Sequence, residues 1–177
     1  MNREQLEHVI RAAAANADTD QIVVVGSQAI HGAHPNLDHP VLCRSMEADV
    51  FPLDAPQNSI LIDGAIGERS VFHETFGYYA HGVDIETATL PEGWKERLVP
   101  IRNENTRHNT GWCLDSHDLA LSKLVAGRTK DFEFLRAMIE LGMLYSRELA
   151  QRLAMTTLDA QKRTACEASM ERLFRKN

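Results

Sequence analysis

The run of four β-branched residues from Ile22 to Val25 constrains the fold of this chain more than any other feature of its sequence. The run lies between the polar turn Asp18-Thr19-Asp20 and the dipeptide Gly26-Ser27. A short apolar run bounded by turn signals is typical of a strand that is buried on both faces of a sheet. The sequence therefore predicts a central strand over residues 21–25, which ends at Gly26 and leads into a short helix over residues 28–32.

The Gly-Ser turn after this strand is a candidate phosphate site. Backbone N–H groups at the start of a helix point towards an anion, and the helix dipole favours negative charge there. Gly26 allows a ligand to approach the backbone closely, and Ser27 adds a hydroxyl donor. The alternative is that Gly26 only gives the turn the backbone freedom that it needs.

Two acids alternate with apolar residues in the segment from Ser45 to Pro52. Met46, Ala48 and Val50 are apolar, whereas Glu47 and Asp49 lie between them. A period of two predicts a half-buried strand, with both carboxylates on one face. Two such charges are costly unless a cation or a proton neutralises them, and Mg²⁺ prefers oxygen ligands. The pair is therefore a candidate cation site, and a solvated strand face is the alternative.

Helical and strand patterns are mixed up to residue 115, and only helical patterns follow. The sequence thus predicts an α/β (α+β) fold, in which residues 1–115 form a small mixed sheet flanked by helices and residues 116–177 form a helical C-terminal region packed on that core. The further predicted helices cover 2–16, 55–66, 116–126, 130–141, 146–153 and a last segment after a capping box at 156–159; the further predicted strands cover 76–80, 83–90, 98–101 and 111–114.

The two motifs in this order resemble the signature of the nucleotidyltransferase superfamily. The resemblance rests on Gly26-Ser27-Gln28-Ala29-Ile30 followed by Met46-Glu47-Ala48-Asp49-Val50. Three longer stretches, over residues 72–79, 87–94 and 117–131, resemble an uncharacterised bacterial subfamily related to the abortive-infection toxin nucleotidyltransferases. The likeness covers most of the chain up to about Leu135.

The resemblance implies a nucleotidyltransferase-like core that moves a nucleoside monophosphate from a nucleoside triphosphate (NTP) to an acceptor hydroxyl on RNA or protein. It implies that Gly26 and Ser27 hold the triphosphate, and that Glu47 and Asp49 bind Mg²⁺ or Mn²⁺. Two cations in such a site neutralise the phosphates and hold the attacking and leaving oxygens in line. A non-catalytic binding module on the same fold, as one member of a toxin–antitoxin-like pair, is the alternative, because a fold does not fix a function.

A third carboxylate on a neighbouring strand is also implied, as a base or a metal ligand. The candidates are Asp84 and Glu86, which lie two apart in the predicted strand over residues 83–90, and Asp84 is preferred because its shorter side chain holds a metal more rigidly. If the strand is regular, both candidates share one face.

The same resemblance gives possible site roles to residues near a helix end. Lys123 would be catalytic, and Arg128 and Lys130 would contact the nucleotide. The alternative is that the cations flanking Gly127 only complement a helix C-terminus.

Composition restricts the other functions. The formal net charge of −6 disfavours general DNA binding, and no stretch is long and apolar enough to predict a membrane span. Three separated cysteines, without a signal peptide, indicate reduced thiols and a cytoplasmic location. A zinc hydrolase is a distant alternative that would use His31, His34, His39 and Cys43, although their spacing fits no standard zinc site.

Overall fold

The computed structural model describes residues 1–175, which form two compact units. The first unit comprises Met1–Ala88 and Leu98–Asp115, and the second comprises Thr89–Arg97 and the chain from Ser116 onward. Across the described residues, none of the helices has both the length and the apolar character of a membrane-crossing segment.

A five-stranded mixed sheet forms the centre of the first unit and confirms the predicted fold class. Its strand order is β3-β2-β1-β5-β4. The β1–β2 and β4–β5 pairs are antiparallel, whereas the β1–β5 and β2–β3 pairs are parallel. The strand bounds are β1 Gln21–Val24, β2 Glu47–Pro52, β3 Tyr79–Gly82, β4 Val99–Ile101 and β5 Thr110–Cys113.

Strand β1 is the middle strand of the sheet, as its β-branched composition predicts. Ile22, Val23 and Val24 are completely buried, since neighbouring strands pair with both edges of β1 and the rest of the unit covers its faces. After Val25 the chain forms a single 3₁₀ turn, Ser27–Ala29, followed by the short helix α2, Ile30–Ala33. The predicted strand, Gly-Ser turn and helix are therefore all confirmed.

Three further helices belong to the first unit: α1 Arg3–Ala17, α3 Ser59–Ile66 and α4 Val71–Phe76. The side chain of Asn2 caps α1 by accepting a hydrogen bond from the backbone N–H of Gln5. The apolar stripe of α1 is fully buried, at Leu6, Val9, Ile10 and Ala13. The sequence pattern did not predict α4, because its apolar side chains remain largely outside the core.

The second unit is helical in the residues after 115, as predicted. Its helices are α5 Ser116–Ala126, α6 Thr129–Glu140, α7 Ser146–Ala154 and α8 Ala160–Phe174. Gly127 and Gly142 have positive φ angles of 65° and 68° just after α5 and α6, which a glycine adopts without strain. The cap of α8 is Asp159, the last residue of the predicted capping box at 156–159, and its side chain accepts a hydrogen bond from the backbone N–H of Lys162.

The strand predicted over residues 83–90 is wrong. Val83 donates the last sheet hydrogen bond of this segment, to the carbonyl of Val50, and a 3₁₀ turn over Ile85–Thr87 follows. Gly82, the last residue of β3, lies against the backbone of Ser59: a Cβ on Gly82 would lie 2.0 Å from the Ser59 carbonyl oxygen. Asp84 and Glu86 lie in an exposed turn instead of on a strand.

Candidate active site

Glu47 and Asp49 lie on one face of β2, as their spacing predicts. The intervening Ala48 and the following Val50 point into the core and are completely buried. The side chain of Glu47 is 37% exposed and that of Asp49 is 24% exposed. Both carboxylates are thus held by a buried strand and remain accessible from solvent.

The Gly-Ser turn lies directly against this acid pair. A Cβ placed on Gly26 would lie 1.8 Å from Oδ2 of Asp49 and 2.8 Å from its carboxyl carbon. The backbone also joins the two segments, because the N–H of Val25 donates to the carbonyl of Asp49 at 3.0 Å. The structure therefore brings together Gly26, at the start of the turn, and Asp49, as the resemblance implies.

Two residues of β3 complete the cluster, and sequence reasoning missed both. The parallel register aligns Tyr79 with Glu47 and His81 with Asp49. The Tyr79 hydroxyl donates to Oε2 of Glu47 at 2.8 Å. Nδ1 of His81 lies 3.2 Å from Oδ1 of Asp49 and 3.8 Å from Oε1 of Glu47.

Glu47, Asp49 and His81 form a group with metal-ligand chemistry. One ligand atom from each of the three residues lies within 4.8 Å of the others, and no other group of this kind occurs among the described residues. The donor set of two carboxylates and one imidazole fits a divalent cation, because these groups are common protein ligands of such ions.

The carboxylate of Asp49 is partly buried and lies beside a second acid, Glu47. Burial, followed by the charge and hydrogen bonding of Glu47, raises the pKa of Asp49, while His81 partly opposes the shift. Burial and the hydrogen bond to Glu47 also raise the pKa of Tyr79, which therefore remains a hydrogen-bond donor at neutral pH. A bound cation would relieve the repulsion between the two carboxylates.

The predicted third carboxylates, Asp84 and Glu86, lie beyond the end of β3. Asp84 immediately precedes the 3₁₀ turn beyond β3, Glu86 lies within that turn, and both are exposed. Neither belongs to the group of ligand atoms formed by Glu47 and Asp49. The physical reason is the end of the strand at Gly82, which removes the alternation on which the prediction depended.

The other predicted site residues, Lys123, Arg128 and Lys130, belong to the second unit, where Lys123 and Arg128 contact Asp131. Nζ of Lys123 lies 3.3 Å from Oδ1 of Asp131 and 4.3 Å from the ring centre of Phe134. Nε of Arg128 donates to Oδ2 of Asp131 at 2.7 Å, and Lys130 is exposed in the first turn of α6. Burial would raise the pKa of Asp131, but the hydrogen bonds and charges of Arg128 and Lys123 outweigh it and hold that pKa below its usual value.

The zinc alternative has no support in the described residues. His31, His34, His39 and Cys43 do not form a metal-ligand group there. His31 is completely buried with Nε2 3.1 Å from the carbonyl of Met1, and Sγ of Cys43 is 3.6 Å from the carbonyl of Leu37.

Residues 4–172 of the chain match a family described as "nucleotidyltransferase of unknown function (DUF6036)". No curated protein and no solved structure matched the chain.

Proposed function

The chain belongs to this DUF6036 family of nucleotidyltransferases, and from that premise we propose that it transfers a nucleoside monophosphate from an NTP to an acceptor hydroxyl in a reaction that depends on Mg²⁺ or Mn²⁺. The observation that carries the proposal is the contact between the Gly-Ser turn and the acid pair. Gly26 lies against the carboxylate of Asp49, and Glu47 shares its face of β2.

Each residue of the site has a role in this proposal. Gly26 and Ser27 bind the triphosphate at the start of the turn, and Glu47 and Asp49 hold the cation. The cation, when bound, neutralises the phosphates and the charge that develops during transfer. The Tyr79 hydroxyl keeps Glu47 in place through its hydrogen bond, so that the carboxylate does not need to be reorganised when the nucleotide arrives.

Labelled nucleotides test the proposal. The full chain is incubated with each NTP labelled at the α-phosphate, with Mg²⁺ or Mn²⁺, and with a pool of RNA and protein. Because the α-phosphate remains on the transferred group, we expect label in one acceptor fraction and release of pyrophosphate. Asp49→Asn should reduce labelling at least about 100-fold, since it removes a carboxylate that stabilises charge at the reacting phosphate.

The matched control is Asp54→Asn, an exposed acid just beyond β2 that does not belong to the ligand group. This variant should label the acceptor as the wild type does. Equal labelling by wild type and Asp49→Asn, or no labelling from any NTP with either cation, contradicts the proposal.

A non-catalytic binding module is the second candidate, and one specific observation favours it. The strand next to β2 offers His81 and Tyr79 where the resemblance implies a third carboxylate. On this alternative, calorimetry would detect NTP binding that Asp49→Asn weakens, without labelling of any acceptor. The likeness to the abortive-infection toxin nucleotidyltransferases supports a role in a bacterial toxin–antitoxin-like pair, and three unpaired cysteines support a cytoplasmic location.

A further inference from the structure

The cation site of this chain has a nitrogen donor at a position where a third oxygen donor is implied. His81 is the partner of Asp49 in the parallel register of β2 and β3, and its side chain turns towards both acids. Its side chain is 49% exposed, so that packing does not force it into this position. The imidazole is therefore placed by strand pairing, at the edge of a site that remains open to solvent.

We propose that His81 is the third protein ligand of the cation held by Glu47 and Asp49, through Nδ1, and that this donor set makes the site prefer divalent transition-metal ions to Mg²⁺. The inference rests on the proposed function only in that the same pair holds the cation. Imidazole nitrogen is a good ligand for transition metals, whereas Mg²⁺ takes oxygen ligands almost exclusively.

The distances between the three side chains agree with ligation of one ion. Two ligands about 2.1 Å from an octahedral ion lie about 3.0 Å apart when adjacent and about 4.2 Å apart when opposite. The two distances from Nδ1 of His81, 3.2 Å to Asp49 and 3.8 Å to Glu47, lie in this range. Small side-chain rotations therefore suffice, and water or a phosphate can fill the remaining positions.

A different role for His81 predicts the opposite result. If His81 were a protonated counter-ion of the two acids, it would compete with a cation for them. Its removal would then strengthen metal binding, whereas removal of a ligand weakens it. The sign of the change in affinity upon His81→Ala thus separates the two roles.

The experiment measures metal binding alone, without nucleotide. Mn²⁺ and Mg²⁺ affinities are determined by calorimetry on the full chain, and pulsed electron paramagnetic resonance is used to detect coupling between bound Mn²⁺ and ¹⁴N. We expect ¹⁴N coupling in the wild type and none in His81→Asp or His81→Ala. We also expect His81→Ala to weaken Mn²⁺ binding by about 10-fold or more, as is typical when a metal site loses a supporting group.

One variant tests the metal preference of the site, and a second serves as the control. His81→Asp supplies a carboxylate in place of the imidazole and should lower the ratio of Mn²⁺ to Mg²⁺ affinity relative to the wild type. His108→Asn is the matched control, since His108 is exposed in the same unit at a φ of 62° that asparagine tolerates. It should change neither affinity nor coupling, and circular dichroism melts check that every variant is folded.

Absence of ¹⁴N coupling in the wild type, or tighter Mn²⁺ binding by His81→Ala, overturns the inference. These outcomes are independent of nucleotidyl transfer. Nitrogen coupling without acceptor labelling supports the inference and contradicts the proposed transferase, whereas labelling without nitrogen coupling contradicts the inference alone.

Discussion

Gly26 is needed at the candidate site for space and not for an unusual backbone angle. Its φ of −71° and ψ of −158° lie in the extended region, which residues with a side chain also adopt. The carboxylate of Asp49 occupies the volume that a Cβ would take. At the scale of single residues, the position of the Asp49 carboxylate therefore depends on residue 26 having no side chain.

Gly26→Ala should displace the Asp49 carboxylate and impair cation binding while preserving the fold. The added methyl group would overlap Oδ2, and the partly exposed side chain of Asp49 can rotate away from it. We expect at least about a 10-fold loss of Mn²⁺ affinity, equal to about 1.4 kcal/mol, with a loss in the free energy of unfolding below about 2 kcal/mol. Calorimetry and denaturant melts measure the two quantities.

Gly64→Ala is the control for this substitution. Gly64 lies in α3, and a Cβ there would have no heavy atom within 4 Å. Alanine in a helix is favoured over glycine by about 1 kcal/mol, so that this variant should be unchanged or slightly stabilised, with normal metal affinity. A Gly26→Ala protein that binds Mn²⁺ as tightly as the wild type would show that Gly26 does not determine the position of Asp49.

At the scale of secondary-structure elements, helix α5 is held in the second unit by a buried acid. Asp118 is completely buried, and its two oxygens lie 2.9 Å from Nε of Arg97 and 2.7 Å from Nε of Arg152. The three residues come from the 3₁₀ turn Trp94–Arg97, from α5 and from α7. One carboxylate therefore links three elements of this unit.

Asp118→Ala should strongly destabilise the second unit. The substitution leaves two guanidinium groups close together without their common anion, and breaking a buried ion pair by removal of one partner costs about 3–5 kcal/mol. Thermal and urea unfolding of the full chain should show this loss. The exposed α8 substitution Glu167→Ala, as the control, should change stability by no more than about 0.5 kcal/mol. A loss of less than about 1 kcal/mol in Asp118→Ala would mean that the ion pairs contribute little.

Charge distinguishes the whole molecule from proteins that bind nucleic acid through general electrostatics. The formal net charge is −6 and the isoelectric point is about 5.7. Such a protein gains no general attraction to a polyanion. If the acceptor is RNA, recognition must therefore come from a local site.

Random-sequence duplex DNA should not bind this protein measurably at physiological salt. Because there is no net positive charge to release counterions, we expect a Kd weaker than about 10⁻⁴ M, the weak limit for non-specific binders. Fluorescence anisotropy measures it, and a titration at low salt is the control, since screening is weakest there. Micromolar binding with a steep dependence on salt concentration would reveal a basic surface that outweighs the net charge.

The sequence by itself determined the features that depend on local pattern. The β-branched run specified β1, alternation specified the face shared by Glu47 and Asp49, and helical spacing specified α1 and the four C-terminal helices. These predictions hold because side-chain period and turn residues act over a few neighbouring positions. The order of the Gly-Ser turn and the acid pair was likewise sufficient to predict the nucleotidyltransferase superfamily, and the family match supports that prediction.

Only the tertiary structure decided which residues surround the acid pair. Tyr79 and His81 each lie 32 positions after their register partners, Glu47 and Asp49. The local pattern of either strand does not determine the register between two strands so far apart in sequence. If the strand predicted over residues 76–80 had been extended to Gly82, His81 would have been a candidate ligand. The sequence pattern does not show where that strand ends. The pairing of β2 with β3, which joins distant segments of the chain, places an imidazole beside the two carboxylates. The chain leaves the sheet after Val83, so that Asp84 does not lie on a strand.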